Sequence, residues 1–143
     1  MINLTCQHPS TWNMPALMFG TIKNKLGETL DYTFHEGSAN CRDLLIIGHG
    51  VTGNKDRPFV VALADAVSAS GINVIRFSFA GNGDSDGQFR DCTISKEVDD
   101  LQAVLSVVEE KNYRAIYAGH SMGGAVGVLA AAKDSRIKFL ISL

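Results

Sequence analysis

The chain has 143 residues, with 13 Lys and Arg against 15 Asp and Glu, 45% hydrophobic residues and 20% charged residues. That is about one domain of ordinary globular composition, large enough to bury roughly 68–70% of its unfolded surface. A net charge of −2 excludes an electrostatic nucleic-acid binder. No apolar run reaches the roughly 18 residues of a membrane span, and Met1–Ser10 has neither the basic start nor the apolar stretch of a secretory signal.

Cys6, Cys41 and Cys92 are widely spaced and form no C-x-x-C pair. Such a count supports neither a disulfide framework nor a zinc site. The expectation is free, buried or partly buried thiols in a reducing cytoplasm.

In chain order, the run to Ala16, with Pro9 and Pro15, is unpatterned and reads as irregular surface chain. Met18–Lys23 and Thr29–His35 are short β-like runs around the turn residues Asn24-Lys25-Leu26-Gly27, a β-hairpin signal. Leu44–Ile47 is a continuous aliphatic run, as in a strand covered on both faces. Pro58–Ser70 predicts a helix, with Pro58 in its first turn and Gly71 as its stop. Ile72–Phe79 reads as a strand. Ala80–Phe89 is a loop dense in Gly, Asp and Ser. Over Thr93–Lys111, Val98, Leu101, Leu105 and Val108 form one helical stripe. Tyr113–Ala118 predicts a strand, Met122–Lys133 a helix of small residues, and Ile137–Leu143 a last strand. A hairpin followed by alternating strands and helices predicts an α/β fold, a mostly parallel sheet with helices on both faces. Ligands in such sheets bind beyond the carboxyl ends of the strands, which directs attention to the loops after Ile47, Phe79 and Ala118.

The last of these loops carries Gly119-His120-Ser121-Met122-Gly123-Gly124, a G-x-S-x-G sequence between a strand and a helix. A sharp turn there lifts the serine hydroxyl clear of the sheet. Side chains at Gly119 and Gly123 would collide with neighbouring backbone. The helix that follows aims its positive end at the serine. Ser121 is therefore the candidate nucleophile. The alternative is an ordinary glycine-rich turn.

A serine nucleophile generates an oxyanion that needs preorganised N–H donors. The backbone of Met122, next after the nucleophile, is one candidate. The other comes from the loop after the central aliphatic strand, His49-Gly50-Val51-Thr52-Gly53-Asn54-Lys55, where Val51 is assigned the role. His49 is read as a brace for this loop in preference to a catalytic base. The same loop, Gly48–Gly53, also spells G-x-G-x-x-G, the dinucleotide fingerprint. That fingerprint requires an acid about 20 residues on. The corresponding strand end, Phe77-Ser78-Phe79-Ala80, has none, and Arg76 would at best suit a phosphorylated ribose.

In the loop after Phe79, Asn82, Asp84, Asp86 and Gly87 match positions 1, 3, 5 and 6 of a calcium loop, but position 12 is Thr93 where a Glu is needed. A bracing role for this polar loop is the better reading. His8 and the His35-Glu36 pair have no partners at ligand spacing and read as surface residues, so no metal is expected. Trp12, Phe77 and Phe79 read as packing residues.

The segments His49–Lys55, Arg76–Ser85 and Gly119–Gly124 together resemble the α/β-hydrolase superfamily. The resemblance is closest to serine-aminopeptidase-like esterases and lipases, including cinnamoyl and feruloyl esterases. It runs from about Met18 to the C-terminus. It implies cleavage of a small-molecule carboxylic ester through an acyl-serine intermediate, no metal or organic cofactor, and a sheet whose first strand is antiparallel to the rest. Ser121 would be the nucleophile, Val51 and Met122 the oxyanion donors, and His49, Gly50, Gly119, His120 and Gly123 supporting residues.

In that superfamily the triad follows the order Ser, Asp or Glu, His. Here His8, His35, His49 and His120 all precede Ser121, and the one acid after it, Asp134, falls past a helix at the opposite end of the sheet. His120 is expected to leave the elbow in another direction. The expectation is an incomplete hydrolase domain over residues 1–143, the N-terminal part of an enzyme whose acid and base lie elsewhere. A cytoplasmic location and self-association through the Ile137–Leu143 edge are expected with it. A dinucleotide-binding module and a non-catalytic hydrolase-fold protein are the competing readings.

Overall fold

The computed structural model describes residues 18–143. The N-terminal run to Ala16, with Cys6, His8 and Trp12, lies outside the described residues. From Met18 on, the elements run β1 (Ile22–Lys23), β2 (Thr29–Leu30), β3 (Tyr32–His35), β4 (Asp43–Gly48), α1 (Pro58–Ala69), β5 (Asn73–Phe77), α2 (Ile94–Glu110), β6 (Arg114–Gly119), α3 (Met122–Ala131) and β7 (Ile137–Ser142). A short 3₁₀ turn, Phe89–Asp91, precedes α2.

The expected hairpin divides in two. Only Thr29–Leu30 pairs back on Ile22–Lys23. Beyond Asp31 the chain leaves the ribbon, and Tyr32–His35 joins the main sheet antiparallel to β5. The five-stranded order is β3-β5-β4-β6-β7, and every pair except β3–β5 is parallel. The sheet thus has the antiparallel first strand that the resemblance implied.

The aliphatic run of β4 is central because both of its faces must be covered. Leu44 and Ile46 enter the larger core beneath α2 and α3, while Leu45 and Ile47 enter the smaller core beneath α1. The stripe on α2 sits as its spacing requires, with Leu101, Leu105 and Val108 buried in the larger core and Val98 packed against it. Thr93 caps that helix, its hydroxyl accepting from the Lys96 N–H at 3.2 Å. Pro58 occupies the first turn of α1, and Gly71, at φ 97°, stops it. Phe77 and Phe79 meet edge to face at 4.8 Å, as packing residues do. At the far edge β7 leaves Phe139, Leu140, Ile141 and Leu143 exposed. No helix among the described residues is long and apolar enough to cross a membrane.

Candidate active site

The parallel strands β4, β5 and β6 bring three loops to one end of the sheet. Ser121 stands between β6 and α3 with φ 54° and ψ −116°. This is positive-φ backbone that a non-glycine residue adopts only under constraint. The constraint is visible in the flanking glycines. A Cβ on Gly119 would fall on the Gly123 carbonyl, and one on Gly123 would stand 2.6 Å from the His49 carbonyl oxygen. Tyr117 locks the turn from below, its buried hydroxyl donating to the Gly123 carbonyl at 2.8 Å. On the other side the Ser121 N–H donates to the Leu143 carbonyl and the Leu143 N–H to the Gly119 carbonyl, each at 2.9 Å.

The loop after β4 closes on this turn. A Cβ on Gly50 would lie 3.3 Å from the Ser121 Cβ and 3.0 Å from His120 Nδ1. His49 is fully buried. Its Nε2 accepts from the Phe79 N–H at 3.0 Å, so Nδ1 carries the proton and donates to the Gly50 carbonyl at 2.8 Å. Burial holds its pKa below the usual histidine value. A neutral imidazole with both nitrogens engaged braces the loop and has no lone pair for Ser121. The N–H of Val51 has no acceptor among the described residues. That of Met122 opens α3, where first-turn N–H groups have no intrahelical partner.

Ser121, His49, Gly50, Val51 and His120 line one cleft of about 270 Å³. His120 borders this cleft. Its ring packs on Phe59, centroids 4.8 Å apart, because the face over Gly50 is open only for want of a side chain there. Among the described residues no hydrogen bond joins His120 to Ser121 Oγ. Arg57 and Phe59, at the start of α1, also line the cleft. Sequence reasoning passed over both, since a lone arginine before a helix carries no motif.

Behind the loop lies a charge network. Arg76 donates to the Lys55 carbonyl at 2.9 Å, pairs with Asp56, and places Nε 2.9 Å from His35 Nε2. Lys55 bridges Asp56 at 2.8 Å and Asp31 at 3.2 Å. His35 is therefore no plain surface residue. Partly buried, it links Arg76 to Asp65, because β3 lies beside β5 in the sheet. Arg76 Nε and Nη1 are thus engaged within the fold. The polar loop after β5 is likewise engaged internally. Asp86 accepts from the Thr29 N–H at 2.8 Å, and Ser85 accepts from the Asp31 N–H while donating to the Ser78 carbonyl. Asp100 holds the Ala80 N–H at 2.8 Å and Asn24 at 2.7 Å. Cys41 and Cys92 are free thiols, both partly buried. Asp134 chelates the Arg136 guanidinium at the start of β7, the end of the sheet away from Ser121.

Sheet order, antiparallel first strand and the serine turn define an α/β-hydrolase fold. The family profile described as serine aminopeptidase, S33, matches residues 39–143, and the chain belongs to that family. It is 30% identical over 124 residues to an uncharacterised 31.7 kDa protein of the traX–finO intergenic region of Escherichia coli, a match covering 83% of this chain and 43% of that protein. Among solved structures it resembles Est1E of Butyrivibrio proteoclasticus with bound ferulic acid (TM-score 0.74, 30% identity, 82% of this chain and 48% of the other). It also resembles XC6422 of Xanthomonas campestris, a serine hydrolase without a lid (TM-score 0.68, 29% identity, 78% and 54%). The chain thus spans less than half the length of the curated relative.

Proposed function

We propose that this chain carries the nucleophile half of a serine hydrolase that cleaves small-molecule carboxylic esters. The observation that supports this best is the strained backbone of Ser121, held in contact with the Gly50 loop. In this reading Ser121 Oγ attacks the ester carbonyl and its proton passes to a base. The N–H groups of Val51 and Met122 hold the oxyanion, and the alcohol leaves with a proton. Water then releases the acid from the acyl-serine. No metal or organic cofactor takes part. The ferulic acid bound to Est1E, a free carboxylic acid of the kind that ester cleavage releases, supports an ester substrate.

In this reading the acid and base are supplied by further chain, since His49 is engaged on both nitrogens, His120 makes no hydrogen bond to Ser121 among the described residues, and Asp134 lies at the opposite end of the sheet. Without a base a serine hydroxyl is a weak nucleophile. Catalysis from the oxyanion site and binding alone amounts to about 10³–10⁴ over water. The partly buried free thiols favour a reducing cytoplasm.

The test is an activated short-chain ester with the 143-residue chain, with its Ser121→Ala variant, and with the gene product extended past Leu143. The expected result is Ser121-dependent acylation, seen by mass, that is fast only in the extended protein. Rapid Ser121-dependent turnover by the 143 residues alone overturns the division of the triad. An extended protein that never acylates Ser121 overturns the hydrolase reading.

A further inference from the structure

The cleft at Ser121 has a charged end that the ester chemistry does not use. Arg57 is the last residue before α1, with φ −58° and ψ 136°. Its Nη2 donates to the Thr52 carbonyl at 2.8 Å, which fixes the guanidinium at the cleft wall. A guanidinium has five N–H donors, and this bond uses one. The contrast with its neighbours is informative. Lys55 and Arg76 are each paired with carboxylates, whereas no described carboxylate forms an ion pair with Arg57, and no Asp or Glu lines the cleft. The N-termini of α1 and α3 both open onto the same space, and both dipoles favour negative charge there. The exposed side chains of Val51 and Phe59 add apolar surface to the same cleft that Arg57 and Ser121 line.

We propose that the cleft selects esters bearing a carboxylate separated from the ester by a short apolar spacer, with Arg57 as the specificity-determining residue. The proposal rests on the hydrolase reading for the ester itself, while the carboxylate preference is a property of binding. An Arg–carboxylate pair gains from fork geometry. At the rim of an open cleft it gives a preference of about tenfold, equivalent to about 1.4 kcal/mol, which weakens as salt rises.

The test uses the 143-residue chain, amide NMR shifts, and two probes that differ in one charge, monomethyl glutarate and dimethyl glutarate. The monoanion is expected to bind about tenfold more tightly, with shifts centred on Gly50, Gly53 and His120. In Arg57→Gln the two esters bind alike, and Arg57→Lys restores part of the difference. Arg57 is exposed, so the variants test recognition without disturbing the core. Equal binding of the two esters overturns the proposal. So does a preference that survives in Arg57→Gln, or shifts gathered at Lys23 and Lys25. Ser121→Ala is expected to keep the preference. Loss of Ser121 acylation in the extended protein with the preference intact therefore condemns the hydrolase reading alone, and the reverse pattern condemns this one alone.

Discussion

Gly123 lies directly beneath the loop after β4: a Cβ there would stand 2.6 Å from the His49 carbonyl oxygen and 2.7 Å from that of Gly48. Both obstacles are backbone, Gly48 in the β4–β6 ladder and His49 directly after it, so neither yields cheaply. Gly123→Ala is expected to cost about 3 kcal/mol of stability, read as a lower urea midpoint with an unchanged slope.

Ser121 behaves differently because its strain lies in its own backbone. At φ 54° and ψ −116° a residue without a Cβ has little to resist. Ser121→Gly is therefore expected to raise stability by about 1–3 kcal/mol, while Ser121→Ala, which keeps the Cβ, gains almost none of it. Thermal unfolding of the two variants side by side separates strain relief from loss of the hydroxyl.

Glu97 is buried on α2 with neither carboxylate oxygen hydrogen-bonded among the described residues. Burial and the nearby Asp100 push its pKa from 4.5 up to about 7. The native state thus binds this proton more tightly than the unfolded chain. Its contribution is fully present below pH 4.5, declines as pH rises toward 7, and stays low above that. The slope inside the window approaches about 1.4 kcal/mol per pH unit. Glu97→Gln is expected to flatten the profile there, checked by urea unfolding across the range.

Asp100 joins α2 to two loops by accepting from the Ala80 backbone N–H and the Asn24 side-chain amide. Asp100→Ala leaves the Ala80 N–H without its acceptor in a buried setting and the Asn24 amide with Glu28 alone, and is expected to cost about 2–3 kcal/mol. Faster amide hydrogen exchange is expected at Ala80 and its neighbours.

β7 and the residue after it present exposed Phe139, Ile141 and Leu143 at a sheet edge that no other described strand pairs with. Such edges recruit further strands. The 143-residue chain is expected to self-associate with rising concentration in sedimentation velocity, and Ile141→Lys to shift it toward monomer. An unchanged monomer over a wide concentration range speaks against an adhesive edge.

The alternation of strands and helices, the two-sided burial of β4, the stripe on α2 and the glycine spacing around Ser121 were all determined by the sequence alone. Each is a local pattern, set by the residue's own period or by the absence of its own side chain. The division of the hairpin at Asp31 was not legible, because it depends on β5 offering an edge to Tyr32–His35, a partner more than 35 residues away. The same pairing drew His35 into contact with Arg76. The surroundings of His120 were not legible for a related reason. Its direction depends on the open face of Gly50 and on the Phe59 ring, both contributed by other segments. Arg57 entered the cleft only once α1 had docked against the sheet. Chain pattern specifies which way a residue faces within its own element, and only packing between elements decides what it meets there.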